Sequence, residues 1–214
     1  MQMVIKKLAE GVLTPEELVN SKSVRYPMLV TPLLKSPERT VSKEVFDYLS
    51  VVGSLLHIAN CVRPDIATAV GILARHSLTP GQAHVNAVKR VVMYLYNTAK
   101  LGITYSKSEA SVPQIFEAAK HPLDDGLNRL QVFADADYAA DYTRRSTYGY
   151  VFMLNNGPVA WGSNLGKTVA TSTCEAEVSA AVHACREAVH FRRMLIEFGH
   201  TEDQHLQVAE DNSA

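Results

Sequence analysis

The chain has 214 residues, of which 47% are hydrophobic and 20% are charged, with a formal net charge of −1. This length and composition support one large or two small folded domains and exclude collagen-like and largely disordered chains. No apolar run reaches the roughly 18 residues of a membrane span, and the N-terminus lacks the apolar stretch of a signal peptide. We therefore expect no membrane partner and an intracellular, cytoplasmic location.

The cysteines give a second indication of location. Cys61, Cys174 and Cys185 lack the spacing of metal ligands. Two of them fall in predicted helices, where we expect small buried thiols. Such free thiols are typical of a reducing compartment.

Charge is distributed unevenly along the chain. Residues 61–107 contain six basic residues and one acid, whereas acids dominate residues 108–140 and the last 20 residues. This distribution fits a polyanion-binding surface beside a cation site. It also fits a solvated surface with uneven charge, which composition alone favours.

The first half of the chain is predicted to be mainly helical. Prolines interrupt residues 1–42, an irregular segment in which we expect a short helix, a loop and an extended stretch. Apolar residues at spacings of three and four predict a helix from Glu44, capped by Ser42. A second helix is predicted from Pro64 to about Ser77 and a third across residues 83–95. Residues 43–106 therefore form one predicted helical unit.

The second half is predicted to combine strands with one long helix. Residues 107–128 have no clear period and are interpreted as a linker. Residues 129–214 form a predicted α/β domain, whose long helix runs from Thr173 to about Phe198. Asn155-Asn156-Gly157 predicts a hairpin turn. The predicted strands are Gly102–Tyr105, Leu130–Ala136, Gly149–Leu154, Val159–Gly162, Thr168–Thr171 and Leu206–Ala209.

Three acidic residues occupy positions from which they can converge. Asp135 ends the first strand of the domain, Glu177 lies in the first turns of the long helix, and Asp211 follows the last strand. Clustered carboxylates disfavour one another's charge, and a divalent cation removes that cost. Two such ions can assist phosphodiester hydrolysis. The alternative is that each acid only ends a strand or begins a helix.

Glu175 and Glu177 are distinguished by helical geometry. Ser172 and Glu175 fit a capping box, which gives Glu175 a structural role. Glu177 points about 200° away from Glu175 around the helix. It borders a stripe of small residues, Ala176, Ala180, Ala184 and Ala188, which would let the helix lie close to a sheet. Glu177 is therefore the better candidate for a metal ligand.

Four basic residues are candidates for contacts with nucleic acid. Arg144 and Arg145 fall in a predicted loop near Asp135 and could hold phosphates. Lys89 and Arg90 lie on the polar side of the third predicted helix. Solvation alone is the alternative for all four.

Several stretches resemble the ribonuclease H domain of copia-type retrotransposon Pol polyproteins. These are Phe133-Ala-Asp-Ala-Asp-Tyr-Ala, Arg144-Arg-Ser-Thr-Tyr-Gly-Tyr, Gly157-Pro-Val-Ala-Trp and Lys167 through Glu177. Upstream, Val52-Gly-Ser-Leu-Leu-His, Arg63-Pro-Asp-Ile-Ala and His84-Val-Asn-Ala-Val-Lys-Arg resemble the end of the reverse transcriptase region of the same polyproteins. The resemblance covers roughly residues 40–214.

The resemblance implies an α/β fold with a ribonuclease H-like mixed sheet, C-terminally truncated and preceded by a small helical unit. It implies cleavage of the RNA strand of RNA–DNA hybrids with two Mg²⁺ ions, or Mn²⁺ instead. Asp135, Glu177 and Asp211 match the family's catalytic and metal-binding acids. The implied partners are an RNA–DNA hybrid and the remainder of the Pol polyprotein, and the oligomeric state stays open.

Two functions stay open for the chain, with an unrelated α/β interaction domain as a third. The first is a metal-dependent ribonuclease H acting during reverse transcription. The second is a decayed copy, or a nucleic-acid-binding module without catalysis. The family's fourth acid and the polymerase's paired aspartates are missing from the sequence. For the 214 residues taken alone we therefore expect the second.

Overall fold

A computed structural model describes residues 1–29, 41–105, 130–199 and 208–209. Contacts divide the chain into two compact units, Met1–Gly102 and Ile103–Ala214. The finer division into segments 1–42, 43–106, 107–128 and 129–214 stays a prediction, and the linker assigned to 107–128 lies outside the described residues.

All regular secondary structure in the described residues of the first unit is helical. Its helices are Gln2–Val12 (α1), Pro15–Asn20 (α2), Tyr48–Cys61 (α3), Ala67–Ala74 (α4) and Gln82–Asn97 (α5). Their apolar faces share one core, to which α1 contributes Ile5 and α5 contributes Val88. Burial of this apolar surface is the main force that holds the short helices together.

Two predicted helix boundaries in this unit are wrong. Helix α3 begins at Tyr48, and the Asp47 carboxylate, not Ser42, accepts a hydrogen bond from Ser50 N at 3.4 Å. Ser42 instead offers its backbone oxygen to Val45 and Phe46 in a preceding turn. The second predicted helix is divided into a 3-10 turn at Pro64–Ile66 and the short α4.

The second unit contains a mixed sheet among its described residues. The strands are Gln131–Asp137 (β1), Thr147–Leu154 (β2), Gly157–Leu165 (β3) and Val208–Ala209 (β4), in the order β3-β2-β1-β4. Strand β1 is antiparallel to β2 and parallel to β4. The predicted α/β class is confirmed, and the arrangement is consistent with a ribonuclease H-like fold. The strands predicted at Gly102–Tyr105 and Thr168–Thr171 are absent from these described segments.

A long helix, Thr173–Glu197 (α6), packs against β1 and β2. The predicted alanine stripe is confirmed as its buried face: Ala176, Ala180, Ala184 and Ala188 are at most 2% exposed. Small side chains let the helix approach Val132 and Phe152 of the sheet closely. Farther along, the ring of Phe191 stacks on that of Phe152, with centroids 5.4 Å apart.

The hairpin between β2 and β3 turns where the sequence predicts it. Asn155 and Asn156 have φ angles of +52° and +62°, which asparagine tolerates better than most residues. The ring of Tyr105 covers the turn, and its hydroxyl donates to the Pro158 oxygen at 2.8 Å. A Cβ at position 157 would lie 2.5 Å from that ring, so glycine is required there.

The expectation that two cysteines are buried is wrong. Cys61, Cys174 and Cys185 are all exposed. Cys174 and Cys185 lie on α6 outside the alanine stripe, so the helix does not carry them into its core. No helix among the described residues is long and apolar enough to cross a membrane.

Candidate functional site

Asp135 is exposed on the central part of the sheet, close to the carboxyl end of β1. It pairs in register with Gly149, and Asp137 pairs with Thr147 at the end of the strand. Because side chains alternate along a strand, both acids lie on the face opposite Val132 and Ala134, which are buried. Asp135 is therefore accessible to a ligand from solvent.

At the start of α6, Glu175 takes part in capping the helix. The predicted N-cap is confirmed, since Glu175 N donates to Ser172 Oγ at 3.1 Å. The predicted return bond to Ser172 is replaced: the Glu175 carboxylate accepts from Thr171 Oγ1 at 2.6 Å and from Thr171 N at 2.7 Å. Both bonds lower the pKa of Glu175, and the bond from the Thr171 hydroxyl has the larger effect.

Glu177 has a different environment from Glu175. It follows the fully buried Ala176 and is itself half-buried, with its Oε2 shielded from solvent. The helix that carries Glu177 packs against the strand that carries Asp135, on the face that Val132 and Ala134 line and Asp135 does not. The sequence-based distinction between an exposed capping acid and an inward acid therefore matches the structure.

Strand pairing bears on the third acid. Val132 pairs with Val208 and Phe133 with Ala209 in parallel, so the carboxyl ends of β1 and β4 meet at one edge of the sheet. Asp211 follows β4 in sequence and lies outside the described residues. Within the described parts of the chain, no three His, Cys, Asp or Glu side chains group as metal ligands. The three-carboxylate site stays a prediction.

The loop between β1 and β2 presents the two predicted arginines differently. Arg144 is exposed and has a φ angle of +64°, which is rare for a residue with a Cβ. Arg145 is half-buried, and its Nε donates to Thr143 Oγ1 at 2.8 Å. Asp141 serves the turn before the two arginines, as its position in the sequence indicates, since its Oδ2 accepts from Thr143 N at 3.0 Å. Sequence reasoning missed Thr143.

The two basic residues of α5 lie in the first unit. Lys89 Nζ lies 2.9 Å from Glu17 Oε1, and both side chains are about one quarter exposed. The hydrogen bond from Lys89 is the largest cause of a lowered pKa at Glu17. Arg90 has a shielded Nε without a hydrogen-bond partner among the described residues. Their contact with nucleic acid stays a prediction.

Arg63 belongs to a buried network that the sequence did not reveal. Its Nε and Nη2 donate to the two oxygens of Asp65 at 2.8 and 2.7 Å, and Nη1 and Nη2 bond to Thr98. The Tyr94 hydroxyl also donates to Asp65 Oδ2, at 2.7 Å. Burial alone would raise the pKa of Asp65, but the bonds from Arg63 and Tyr94 bring it below its usual range. The guanidinium of Arg63 therefore has a structural role within the first unit.

Comparison with known proteins identifies several relatives. Secreted RxLR effector protein 161 of Plasmopara viticola is 38% identical over 143 residues, which cover 66% of this chain and 89% of that protein. The retrovirus-related Pol polyprotein from transposon TNT 1-94 of Nicotiana tabacum is 32% identical and matches 98% of this chain. The Pol polyprotein from transposon RE2 of Arabidopsis thaliana is 31% identical over 85% of it.

These matches differ in how much of each relative they cover. The chain spans 15% of the tobacco polyprotein and 11% of the RE2 polyprotein. No protein-family model and no solved structure matches the chain. The polyprotein matches nevertheless extend over most of the sequence at 30% identity or better. The chain therefore belongs to the copia-type retrotransposon Pol family.

Proposed function

We propose that this chain supplies a ribonuclease H activity to a retrotransposon Pol polyprotein inside the cell, cutting the RNA strand of RNA–DNA hybrids. One observation carries the proposal. The parallel pairing of β1 and β4, which brings the carboxyl ends of the two strands to one edge of the sheet, supports a carboxylate site built from Asp135, Glu177 and Asp211. Family membership adds support, because the Pol relatives come from transposons.

The donor chemistry fits a hard divalent cation. Asp135 offers an exposed carboxylate, and Glu177 offers a half-buried one with a shielded oxygen. Oxygen ligands of this kind suit Mg²⁺ and Mn²⁺ better than softer metals. Two bound Mg²⁺ ions would stabilise the attacking and leaving oxygens of the phosphodiester. We propose Asp135, Glu177 and Asp211 as the residues that hold them.

The basic residues are proposed to bind the hybrid and orient it. Arg144 and Arg145 lie in the loop between β1 and β2, which begins where the strand that carries Asp135 ends. Guanidinium groups form paired hydrogen bonds with phosphate oxygens. Arg90 and Lys89 are proposed as further backbone contacts in the first unit. Phosphate contacts of this kind position the hybrid without reading its sequence.

The test is cleavage of a labelled RNA–DNA hybrid by the full chain with Mg²⁺. We expect the wild-type chain to cut the RNA strand and Glu177→Gln to lose more than a hundredfold in rate. The charge-matched control is Glu175→Gln, which loses a capping bond and should retain most of the activity. Asp135→Asn should lose cleavage like Glu177→Gln while keeping its affinity for the hybrid in EDTA.

The same assay separates the alternative function. A folded wild-type chain that binds the hybrid but never cuts it would show a nucleic-acid-binding module or a decayed copy. Equal losses for Glu175→Gln and Glu177→Gln would contradict the assignment of Glu177. Cleavage that survives in Asp135→Asn would contradict the carboxylate site as a whole.

A further inference from the structure

The loop between β1 and β2 contains a chain of side-chain hydrogen bonds with no part yet in the proposed chemistry. Asp141 Oδ2 accepts from Thr143 N at 3.0 Å and from Thr143 Oγ1 at 2.5 Å. The same Thr143 oxygen accepts from Arg145 Nε at 2.8 Å. A hydroxyl has one hydrogen to donate. Since Thr143 gives that hydrogen to Asp141, its lone pairs face Arg145.

The backbone of this loop is held as well. Arg144 N donates to the Asp141 oxygen at 2.8 Å, and Asp141 N donates to the Arg145 oxygen at 3.3 Å. At its base, Ala139 N donates to Oγ of Ser146, which is fully buried. Ala139 and Arg144 both have positive φ, at +51° and +64°. Such strained residues persist only where neighbouring contacts enforce them, and they are frequent at ligand-binding sites.

The outer end of Arg145 is left for another partner. Among the described residues, its guanidinium is bonded only through Nε, so the two Nη groups keep their hydrogens available. A guanidinium fixed in this way offers a planar fork that matches two phosphate oxygens. It also loses less conformational freedom on binding than a mobile side chain. The exposed Arg144 next to it adds a second positive charge.

We propose that Asp141 and Thr143 are positioning residues that hold the Arg145 guanidinium for one phosphate of the RNA–DNA hybrid. This inference rests on the proposed function, because it takes the hybrid as the ligand. It assigns different tasks to the two arginines. Arg145 is the fixed contact, and Arg144 contributes charge without a defined partner.

A double-mutant cycle tests this positioning. Binding of a fluorescein-labelled hybrid to the full chain is measured in EDTA, so that cleavage cannot occur, over a series of salt concentrations. We expect Arg145→Ala to weaken binding about tenfold and to reduce the slope of log affinity against log salt by about one. Thr143→Val should give a smaller loss and Thr143→Ser almost none, because serine keeps the hydroxyl. The double variant should be no weaker than Arg145→Ala alone.

Additive losses in that cycle would overturn the inference, because Thr143 would then act independently of Arg145. Unchanged affinity in Arg145→Ala would overturn it as well. If the Trp161 fluorescence of Thr143→Val shows that this variant is unfolded, Asp141→Asn replaces it in the cycle. The same results would then support or overturn the inference. Positive coupling in a chain that binds but does not cut would sustain this inference and remove the catalytic proposal. Intact cleavage together with additive losses would sustain the catalytic proposal and overturn this inference.

Discussion

The two units use their charged residues in opposite ways. In the first unit Arg63 is 2% exposed and bonded to Asp65, and Lys89 is paired with Glu17 across the sequence. In the second unit Asp135 and Arg144 are exposed. The basic stretch at 61–107 therefore offers less free charge than its sequence suggests. The buried charge of Arg63 stabilises the fold of the first unit, whereas the exposed charges of Asp135 and Arg144 are available to a ligand.

The largest effect on stability is expected when the buried guanidinium of Arg63 is removed. Arg63→Ala leaves Asp65 without its main partner, and we expect the free energy of unfolding to fall by about 3 kcal/mol. This is the lower end for a buried pair, because the Asp65 side chain is 28% exposed. Far-UV circular dichroism during urea unfolding would follow mainly the helices of the first unit, with a smaller contribution from α6. Fluorescence of Trp161, the only tryptophan, would follow the second unit.

Two further observations complete this test. Arg63→Lys keeps the charge but loses the paired bonds, so it should fall between wild type and Arg63→Ala. Because the pKa of Asp65 is lowered in the folded state, its contribution is present above the unfolded value and is lost as pH falls through the folded value. The Arg63→Ala deficit should therefore shrink below about pH 4. An equal shift of both optical transitions would contradict separate effects on the two units.

A smaller effect is expected from the alanine stripe of the second unit. Ala184→Leu places a large side chain where α6 contacts the sheet, and we expect a loss of about 2 kcal/mol from overpacking. The Trp161 transition should move, while the larger part of the far-UV signal, which comes from the first unit, stays in place. Val182→Leu on the same helix is the control, because Val182 is 47% exposed. A comparable loss in both variants would mean that α6 does not rely on close packing.

The smallest effect is expected at the ion pair of α2 and α5. Lys89→Met should cost about 0.5 kcal/mol, as is usual for a pair that solvent partly screens. Lys6→Met is the control, since Lys6 lies 3.9 Å from Glu10 in a more exposed pair. Because Lys89 is also proposed as a contact of the hybrid backbone, we expect Lys89→Met to weaken hybrid binding and Lys6→Met to leave it unchanged. Equal affinity in the two variants would contradict the proposed contact of Lys89.

Helix α6 and the β2–β3 hairpin could be predicted because their signals are local. The alanine stripe repeats at the helical period, and Asn155-Asn156-Gly157 favours positive φ at the turn. The prediction of a strand at Thr168–Thr171 was wrong. It was based on β-branched residues, which do not show whether a neighbouring strand is present to pair with them. The exposure of Cys174 and Cys185 follows from the same alanine stripe, since neither residue lies on it, and the expectation of buried thiols did not take this into account.

The candidate site shows the same division between local and distant information. Ser172 and Glu175 lie three residues apart, so the helix start was predictable, although Thr171 takes the place of the expected return bond. The pairing of Lys89 with Glu17 joins residues far apart in sequence and leaves no local pattern. The Arg63–Tyr94 contact, 5.5 Å from guanidinium carbon to ring centre, is hidden for the same reason.

The parallel pairing of β1 with β4 also sets the order in which the second unit can assemble. The β2–β3 hairpin closes around a two-residue turn. Val132, in contrast, pairs with Val208, which follows α6 in the sequence. Closing the longer loop costs more entropy, and pairings distant in sequence form late. During synthesis the strand that carries Asp135 therefore leaves the ribosome long before its parallel neighbour. Any chemistry that needs both strands begins only after nearly all of this segment has been translated.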